Sequence, residues 1–332
     1  MNTTLLIVAL IVISILAAIL LSIVIYGAEK LYQMKRVETA LKRAWFDQGE
    51  CQGDECAEQI RSLTLPPEIA QGGIFDPVLA LKLGDYLSRI SIATKYQKHT
   101  GVPTPVQHPE DSEALHILPA TDHKGPPFGV LYRIKGTRTL VLAFRSTATP
   151  AEVGRDLDLA QKGYPDPLGD AKVHQGFLKT WEDHRDLVMQ CVADEDPEQI
   201  YVTGHSLGAA VATLASFELA QLHTVECYQF GCPRVGNPEF DTLIRAQPRL
   251  TLWRVVNATD IIAMLPPEVT PNITDEAVSN WIYKHAGQSY EFSRNYHSWK
   301  YNHVLENYLR EMERLAELNT SSTSSTERGL VG

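Results

Sequence analysis

The sequence predicts an α/β fold: a mostly parallel central sheet with helices on both faces, preceded by one N-terminal transmembrane helix. Three observations carry this reading. Short β-branched runs alternate with segments of helical period between residues 129 and 317, the pattern that parallel sheets require because each crossover is a helix. One such run, Gln199–Thr203, leads through Gly204-His205-Ser206-Leu207-Gly208 directly into a small-residue-rich helical stretch. Leu5–Tyr26 is an apolar run of 22 residues in which only Ser14, Ser22 and Tyr26 carry polar groups. With 30 Lys+Arg against 40 Asp+Glu in 332 residues, the net charge is −10, and no charged residue falls in residues 1–28. The remainder, 21% charged and 44% hydrophobic for the whole chain, reads as a globular domain large enough for a full core. The acidic balance and the lack of an extended basic patch argue against nucleic acid as the main partner.

The elements follow in order. At ~1.5 Å per residue the run Leu5–Tyr26 extends ~33 Å, against ~30 Å of bilayer hydrocarbon, so residues 1–28 read as a membrane anchor. The alternative, a cleaved signal peptide, needs a basic start, a shorter apolar core and small residues before the cleavage point. Here the start is Met-Asn-Thr-Thr, and Tyr26 stands where a small residue is wanted. Lys30, Lys35, Arg36, Lys42 and Arg43 all follow the run; the positive-inside rule then places residues 29–332 on the cytoplasmic side of a single-pass membrane protein. Residues 29–75 read as a juxtamembrane helix and a polar linker. The five cysteines, Cys51, Cys56, Cys191, Cys227 and Cys232, are an odd number that suits reduced thiols. Cys51 and Cys56 lack partner ligands for zinc, though a small disulfide there fits an exported domain.

Residues 76–318 form the α/β domain. Asp76-Pro77 is an N-cap and first-turn signal for a helix over 76–99. The Pro/His/Asp-rich stretch 100–128 reads as loop. Strands are expected at 129–136, 139–145, 199–204, 226–231 and 251–257, and helices at 177–194, 207–222, 237–247 and 298–317. Residues 319–332, rich in Ser and Thr, read as a disordered tail.

The chemistry centres on Ser206. A serine between two glycines, on a sharp strand-to-helix turn, projects its hydroxyl while strand and helix crowd together. The helix N-terminus and the backbone N–H of Leu207 favour negative charge beside it. The segment resembles the class 3 lipase family, the fungal-type lipases of the α/β-hydrolase fold, and the resemblance extends beyond the elbow. Residues 139–147 (TLVLAFRST) resemble the family's strand ending in an Arg-Gly-Ser/Thr turn. Val173-His174-Gln175-Gly176-Phe177 resembles its V-H-x-G-F, and Tyr228–Asn237 (YQFGCPRVGN) resembles the strand before its next helix. The likeness covers about residues 76–310.

In this fold a carboxylate and a histidine follow the serine in that order. Asp260 stands just past a predicted strand end, in a stretch (DIIAMLPP) similar to the family's D-x-V-P-x-L-P-P. Asp241 and Asp275 compete, one inside a predicted helix and one in a polar loop. For the base there are His285, His297 and His303; His303 opens H-V-L-E-N-Y-L, similar to the family's H-S-x-x-x-Y-L, and His297 is the alternative. The expected roles are attack by Ser206, proton transfer by His303 and orientation by Asp260. The resemblance makes the backbone of Thr147, with Leu207, the oxyanion hole. Ser146 departs from the family's glycine, and a turn needing positive φ there would be strained. Arg145 and Asp156 are expected to pair across this loop, His174 and His205 to pack, and Cys227 and Cys232 to pack beside a strand. No cofactor is implied, and no metal-ligand constellation stands out.

The implied function is hydrolysis of lipid esters of the triacylglycerol or acylglycerol type through an acyl-enzyme. A short-chain or feruloyl-type esterase is one alternative, and a lipase-like scaffold without activity is another. The segment 148–155, where the family carries its lid, is short and weakly apolar, which implies weaker dependence on an oil–water interface. Residues 100–128 or 261–295 are the other candidates for a cover.

Overall fold

Asp76 caps the first described helix, as the sequence predicts. The computed structural model describes residues 74–328, apart from 121–124, 149–151, 153–155, 157, 165–168 and 272–279, and for 319–328 the backbone alone. The apolar run Leu5–Tyr26, nearly all of the linker, and Cys51 and Cys56 lie outside the described residues. Among the described residues no helix is long and apolar enough to cross a membrane. The Asp76 carboxylate accepts the N–H groups of Val78 and Leu79, and Pro77 occupies the first turn of helix α1 (Pro77–Thr100), where a missing N–H costs nothing. Gly101 closes the helix at φ 72°, a left-handed position that glycine takes without strain.

The main sheet has the order β1-β2-β3-β6-β7-β8-β11, with strands β1 (Ser112–Leu118), β2 (Gly129–Ile134), β3 (Thr139–Phe144), β6 (Gln199–His205), β7 (Thr224–Phe230), β8 (Leu250–Asn257) and β11 (Gln288–Phe292). β1–β2 and β2–β3 pair antiparallel, whereas β3–β6, β6–β7, β7–β8 and β8–β11 pair parallel. Between these strands lie two short antiparallel hairpins, β4 (Gln161–Gly163) with β5 (Lys172–His174) and β9 (Val269–Pro271) with β10 (Asn280–Ile282). Crossovers supply helices α2 (Gln175–Glu195), α3 (Leu207–Leu219) and α4 (Pro238–Ala246), and the chain finishes with α5 (Trp299–Asn302) and α6 (Leu305–Arg328).

Both faces of the central strands are buried, which is why they read as near-continuous apolar runs. Along β3 the side chains alternate between two cores: Leu140, Leu142 and Phe144 join the one built on α2, α3 and α4, while Val141 and Ala143 join the one under α1 and α6. This period of two follows from the pleat.

Three expectations shift. The stretch 100–128 contains β1, an edge strand with only Ser112 and Leu118 buried and a register shift between Ala114 and His116. An edge strand of that kind leaves no apolar alternation to read. The predicted helix 298–317 is two helices, because His303 and Val304 break it between Asn302 and Leu305. The helix reaching Arg328 extends into the stretch read as tail; Ser and Thr fall only a few tenths of a kcal/mol short of the better helix formers, and an existing helix needs no new nucleus.

The tightest packing is at the start of α3. A Cβ on Gly204 would lie 2.2 Å from the Gly208 carbonyl oxygen, and one on Gly208 2.3 Å from the carbonyl oxygens of Phe144 and Arg145. No atoms there are the free end of a flexible side chain. Gly208→Ala is expected to lower unfolding free energy by about 1–3 kcal/mol in urea titration. Gly163→Ala, with nothing within 4 Å of its Cβ, is expected to stay within about 0.5 kcal/mol of the parent. Equal stabilities for the two variants would contradict this packing.

Candidate active site

The parallel strands end at one edge of the sheet, and the loops leaving that edge assemble the polar groups of interest. β6 turns at Ser206 with φ 57° and ψ −124°, a strained conformation for a residue with a side chain. The turn is held by the Ser206 N–H, which donates to the Phe230 carbonyl at 3.1 Å. The glycines at 204 and 208 admit the close contact, so the strain is confined to the residue whose hydroxyl is presented. Ser206 is partly exposed while its neighbours His205 and Leu207 are buried.

The Ser206 hydroxyl donates to His303 Nε2 at 2.7 Å, and His303 Nδ1–H donates to Asp260 Oδ2 at 2.5 Å. A carboxylate only accepts, so the proton sits on Nδ1 and Nε2 is free to accept from the serine. Asp260 is fully buried but saturated. Its Oδ1 accepts the N–H of Ile262 at 2.9 Å, and its Oδ2 also accepts the Tyr308 hydroxyl at 2.5 Å. Burial and then the Asp260 charge hold the Tyr308 phenol well above its ordinary value, so it stays a donor. Gly231 makes the space: at φ +58°, its missing Cβ would meet Tyr308 Oη, Asp260 Oδ2 and His303 Cε1 within 2.9–3.2 Å.

The backbone around His303 is pinned by amides. Asn302 Nδ2 donates to the Thr259 carbonyl at 2.9 Å, and Asn257 Nδ2 donates to the Asn302 carbonyl at 3.1 Å. This locks the break between α5 and α6 to the turn after β8. His205 Nε2–H donates to the His303 carbonyl at 2.7 Å. Burial, reinforced by His303, pushes His205 down to about 3, so it is a neutral imidazole that fixes the neighbouring loop.

Thr147 lies beyond the end of β3, and the contact of Gly208 with the Arg145 carbonyl sets that turn against the start of α3. Leu207 N–H is one of the unpaired donors that begin every helix. Among the described residues the positive-φ positions apart from glycines are Asp196, Ser206 and His297; Ser146 is not one of them, so its departure from glycine brings no backbone strain. The expected Arg145–Asp156 pair is not formed. Arg145 pairs with Glu152 in two hydrogen bonds of 2.9 and 3.0 Å, and the Thr147 hydroxyl donates to Asp156 Oδ2 at 2.6 Å. Burial, with the Glu152 charge adding and the Thr147 bond opposing, pushes the Asp156 carboxyl up to about 7.

The other candidates stand elsewhere. His297 is exposed, at φ 53°, and burial beside Arg254 and Arg234 pushes His285 down to about 2. Asp241 is in α4, paired with Arg245 and Lys284, and Asp275 lies outside the described residues. His174 caps α2 by accepting the Phe177 N–H; Cys227 and Cys232 are buried free thiols. Among the described residues no group of three His, Cys, Asp or Glu side chains is arranged to hold a metal. Sequence reasoning missed Tyr308 and Glu152. The first was visible only as the tyrosine five places after His303, and nothing in the spacing around Glu152 marks it.

Comparison with known proteins agrees with the resemblance read from the motifs. Residues 141–270 match the family profile described as Lipase (class 3). The chain is 32% identical over 177 residues to phospholipase A(1) DAD1 of Arabidopsis thaliana, covering 44% of this chain and 39% of that protein. It is 30% identical over 164 residues to a lipase of Rhizopus niveus, covering 46% of this chain and 41% of that protein. It thus spans about two fifths of the length of these curated relatives. In fold it resembles the triacylglyceride lipase of Rhizomucor miehei, with a TM-score of 0.50 at 24% identity over 64% of this chain and 78% of that one.

Two outcomes test the buried polar groups. Tyr308→Phe removes a hydrogen bond to a buried carboxylate and is expected to cost about 1.5–3 kcal/mol in urea unfolding; an unchanged midpoint would mean that the bond is not made. Asp156 takes its proton more readily folded than unfolded, where the ordinary value is 3.8. The corresponding stability is complete at low pH and is lost as pH rises toward about 7. Asp156→Asn is therefore expected to flatten the fall in stability between about pH 4 and pH 7; an identical slope in parent and variant would remove Asp156 as its source.

Proposed function

We propose that this chain is a membrane-anchored serine hydrolase that cleaves carboxylic esters of lipids, of the triacylglycerol or acylglycerol type, with phospholipid esters in the same range. The observation that carries this reading is the unbroken hydrogen-bond chain from Ser206 through His303 to a buried, saturated Asp260. The match of residues 141–270 to class 3 lipases supports the substrate class.

The residues act as follows. Ser206 Oγ attacks the ester carbonyl carbon as its proton passes to His303 Nε2. Asp260 stabilises the imidazolium, and Tyr308 holds the carboxylate in place. The new oxyanion accepts the N–H groups of Leu207 and Thr147, donors fixed before the charge develops. His303 returns the proton to the departing alkoxide, which leaves as the alcohol. Water then attacks the acyl-serine, His303 takes its proton, and the carboxylic acid departs as Ser206 is reprotonated.

The apolar run Leu5–Tyr26 and the basic residues after it support an anchor with the hydrolase on the cytoplasmic side. An anchored enzyme works at the surface where its acyl esters are concentrated. No resident cofactor is needed for this chemistry.

The test uses the full chain in detergent, with Ser206→Ala beside it, on p-nitrophenyl esters from two to sixteen carbons. Loss of the nucleophile in such triads costs on the order of 10⁶ in turnover. Serine-dependent hydrolysis greatest on medium or long acyl chains is the expected result. Activity confined to two- or four-carbon esters would move the reading to a short-chain or feruloyl-type esterase. Equal inactivity of two folded proteins would move it to a non-catalytic scaffold.

A further inference from the structure

The oxyanion turn rests on a polar assembly that the triad does not use. Arg145 and Glu152 are 1% and 0% exposed, and burying such a pair is worthwhile for stability only when every remaining donor and acceptor is met. Here they are met by the backbone of the turn and of the stretch just before β2. Arg145 Nη1 donates to the Ser146 carbonyl at 2.7 Å as well as to Glu152 Oε2. Its Nε and Nη2 donate to the carbonyls of Pro127 and Pro126 at 2.6 and 2.9 Å. Glu152 Oε2 also accepts the N–H of Ala148 at 2.6 Å. Thr147 therefore has both flanking peptides tied to one ion pair, while its own side chain is tied to Asp156. The guanidinium lies over the Phe128 ring at 5.5 Å to the centroid, and the Arg145 carbonyl abuts Gly208 at the start of α3.

We propose that Glu152 is a positioning residue for ester hydrolysis: with Arg145 it holds the peptides on either side of Thr147 so that the Thr147 N–H points at the developing oxyanion. This rests on the hydrolase reading above. A glycine-free turn, Arg145-Ser146-Thr147-Ala148, takes its shape from these side-chain anchors. The carboxylate does two separate jobs. It neutralises a buried guanidinium, which any packed arrangement of the same volume replaces, and it grips the Ala148 N–H, which an apolar side chain does not. Stability and turnover consequently respond differently to its removal.

The experiment compares the full chain with Glu152→Gln and with the double variant Arg145→Met/Glu152→Leu, each beside Ser206→Ala. Glu152→Gln leaves a buried guanidinium without its counter-charge and is the variant at risk of unfolding. The double variant removes both charges and replaces them with apolar side chains, a change that buried pairs commonly tolerate. Folding is followed by circular dichroism, and kcat and KM are measured on the best p-nitrophenyl ester. The affinity of an alkyl boronic acid, which forms a tetrahedral adduct on the serine, is read in parallel. The expected result is a folded double variant with kcat lower by about 10²-fold, the usual loss for one oxyanion donor. KM stays within about threefold, and boronic acid affinity falls in step with kcat. A folded double variant with parental kcat, or one whose KM rises while kcat holds, overturns the role of Glu152. Absence of Ser206-dependent turnover in the parent overturns the hydrolase reading instead, and the proposed role falls with it.

Discussion

The close approach of β6, α3 and the end of β3 is the constraint on which the site depends. With backbone atoms 2.2–2.3 Å from where a Cβ would stand at Gly204 and Gly208, helix and strands meet without side chains between them. That contact forces the turn at Ser206 into φ 57°, so the strain falls on the residue that presents its hydroxyl. The same contact brings the Arg145 carbonyl against the first turn of α3. One steric requirement thus places both the proposed nucleophile and the turn that carries Thr147, the proposed second oxyanion donor.

Polar groups around this turn are buried but compensated, each by a different device. Asp260 has accepting positions filled by Ile262, His303 and Tyr308. Glu152 is neutralised by Arg145 and grips the backbone. Asp156, held by the Thr147 hydroxyl but otherwise desolvated, is pushed up to about 7. His205, desolvated without a carboxylate on its ring, is pushed down to about 3 and serves as a neutral donor to the His303 carbonyl. Satisfied groups of this kind rigidify a site, since moving any one leaves another unpaired in a low dielectric. Rigidity of that origin suits a reaction whose barrier is lowered by donors fixed in advance.

Much of this was legible from residue order because its causes are local. The N-cap at Asp76, the central strands and the elbow around Ser206 each follow from side chains within a few positions. Asp260 stands just past the end of β8, which a hydrophobic run marks, whereas His303, at a break between two helices, is marked by the resemblance of H-V-L-E-N-Y-L to the family's motif. Edge and late strands were less visible: β1 buries too few residues to alternate, and β11 is recruited by parallel pairing to β8 rather than by its own pattern. The partner of Arg145 was misjudged because Glu152 and Asp156 are both acidic and both downstream. Only the path of the chain after Thr147 decides which reaches the guanidinium and which the hydroxyl. Tyr308 contributes through its place on α6, set by the helix break at His303, and a break made by tertiary hydrogen bonds from Asn302 and Asn257 leaves no local signature.

The most direct test of the central claim is covalent labelling of the intact chain with an alkyl fluorophosphonate, followed by mass spectrometry of its peptides. Ser206 displaces fluoride from phosphorus only if its hydroxyl is activated and the phosphonyl oxygen is received by the neighbouring N–H groups. The account predicts one adduct, on the peptide containing Ser206, formed rapidly in the parent and orders of magnitude more slowly in a folded His303→Ala variant. Labelling at a different serine, or equal labelling of Ser206 with and without His303, would contradict it.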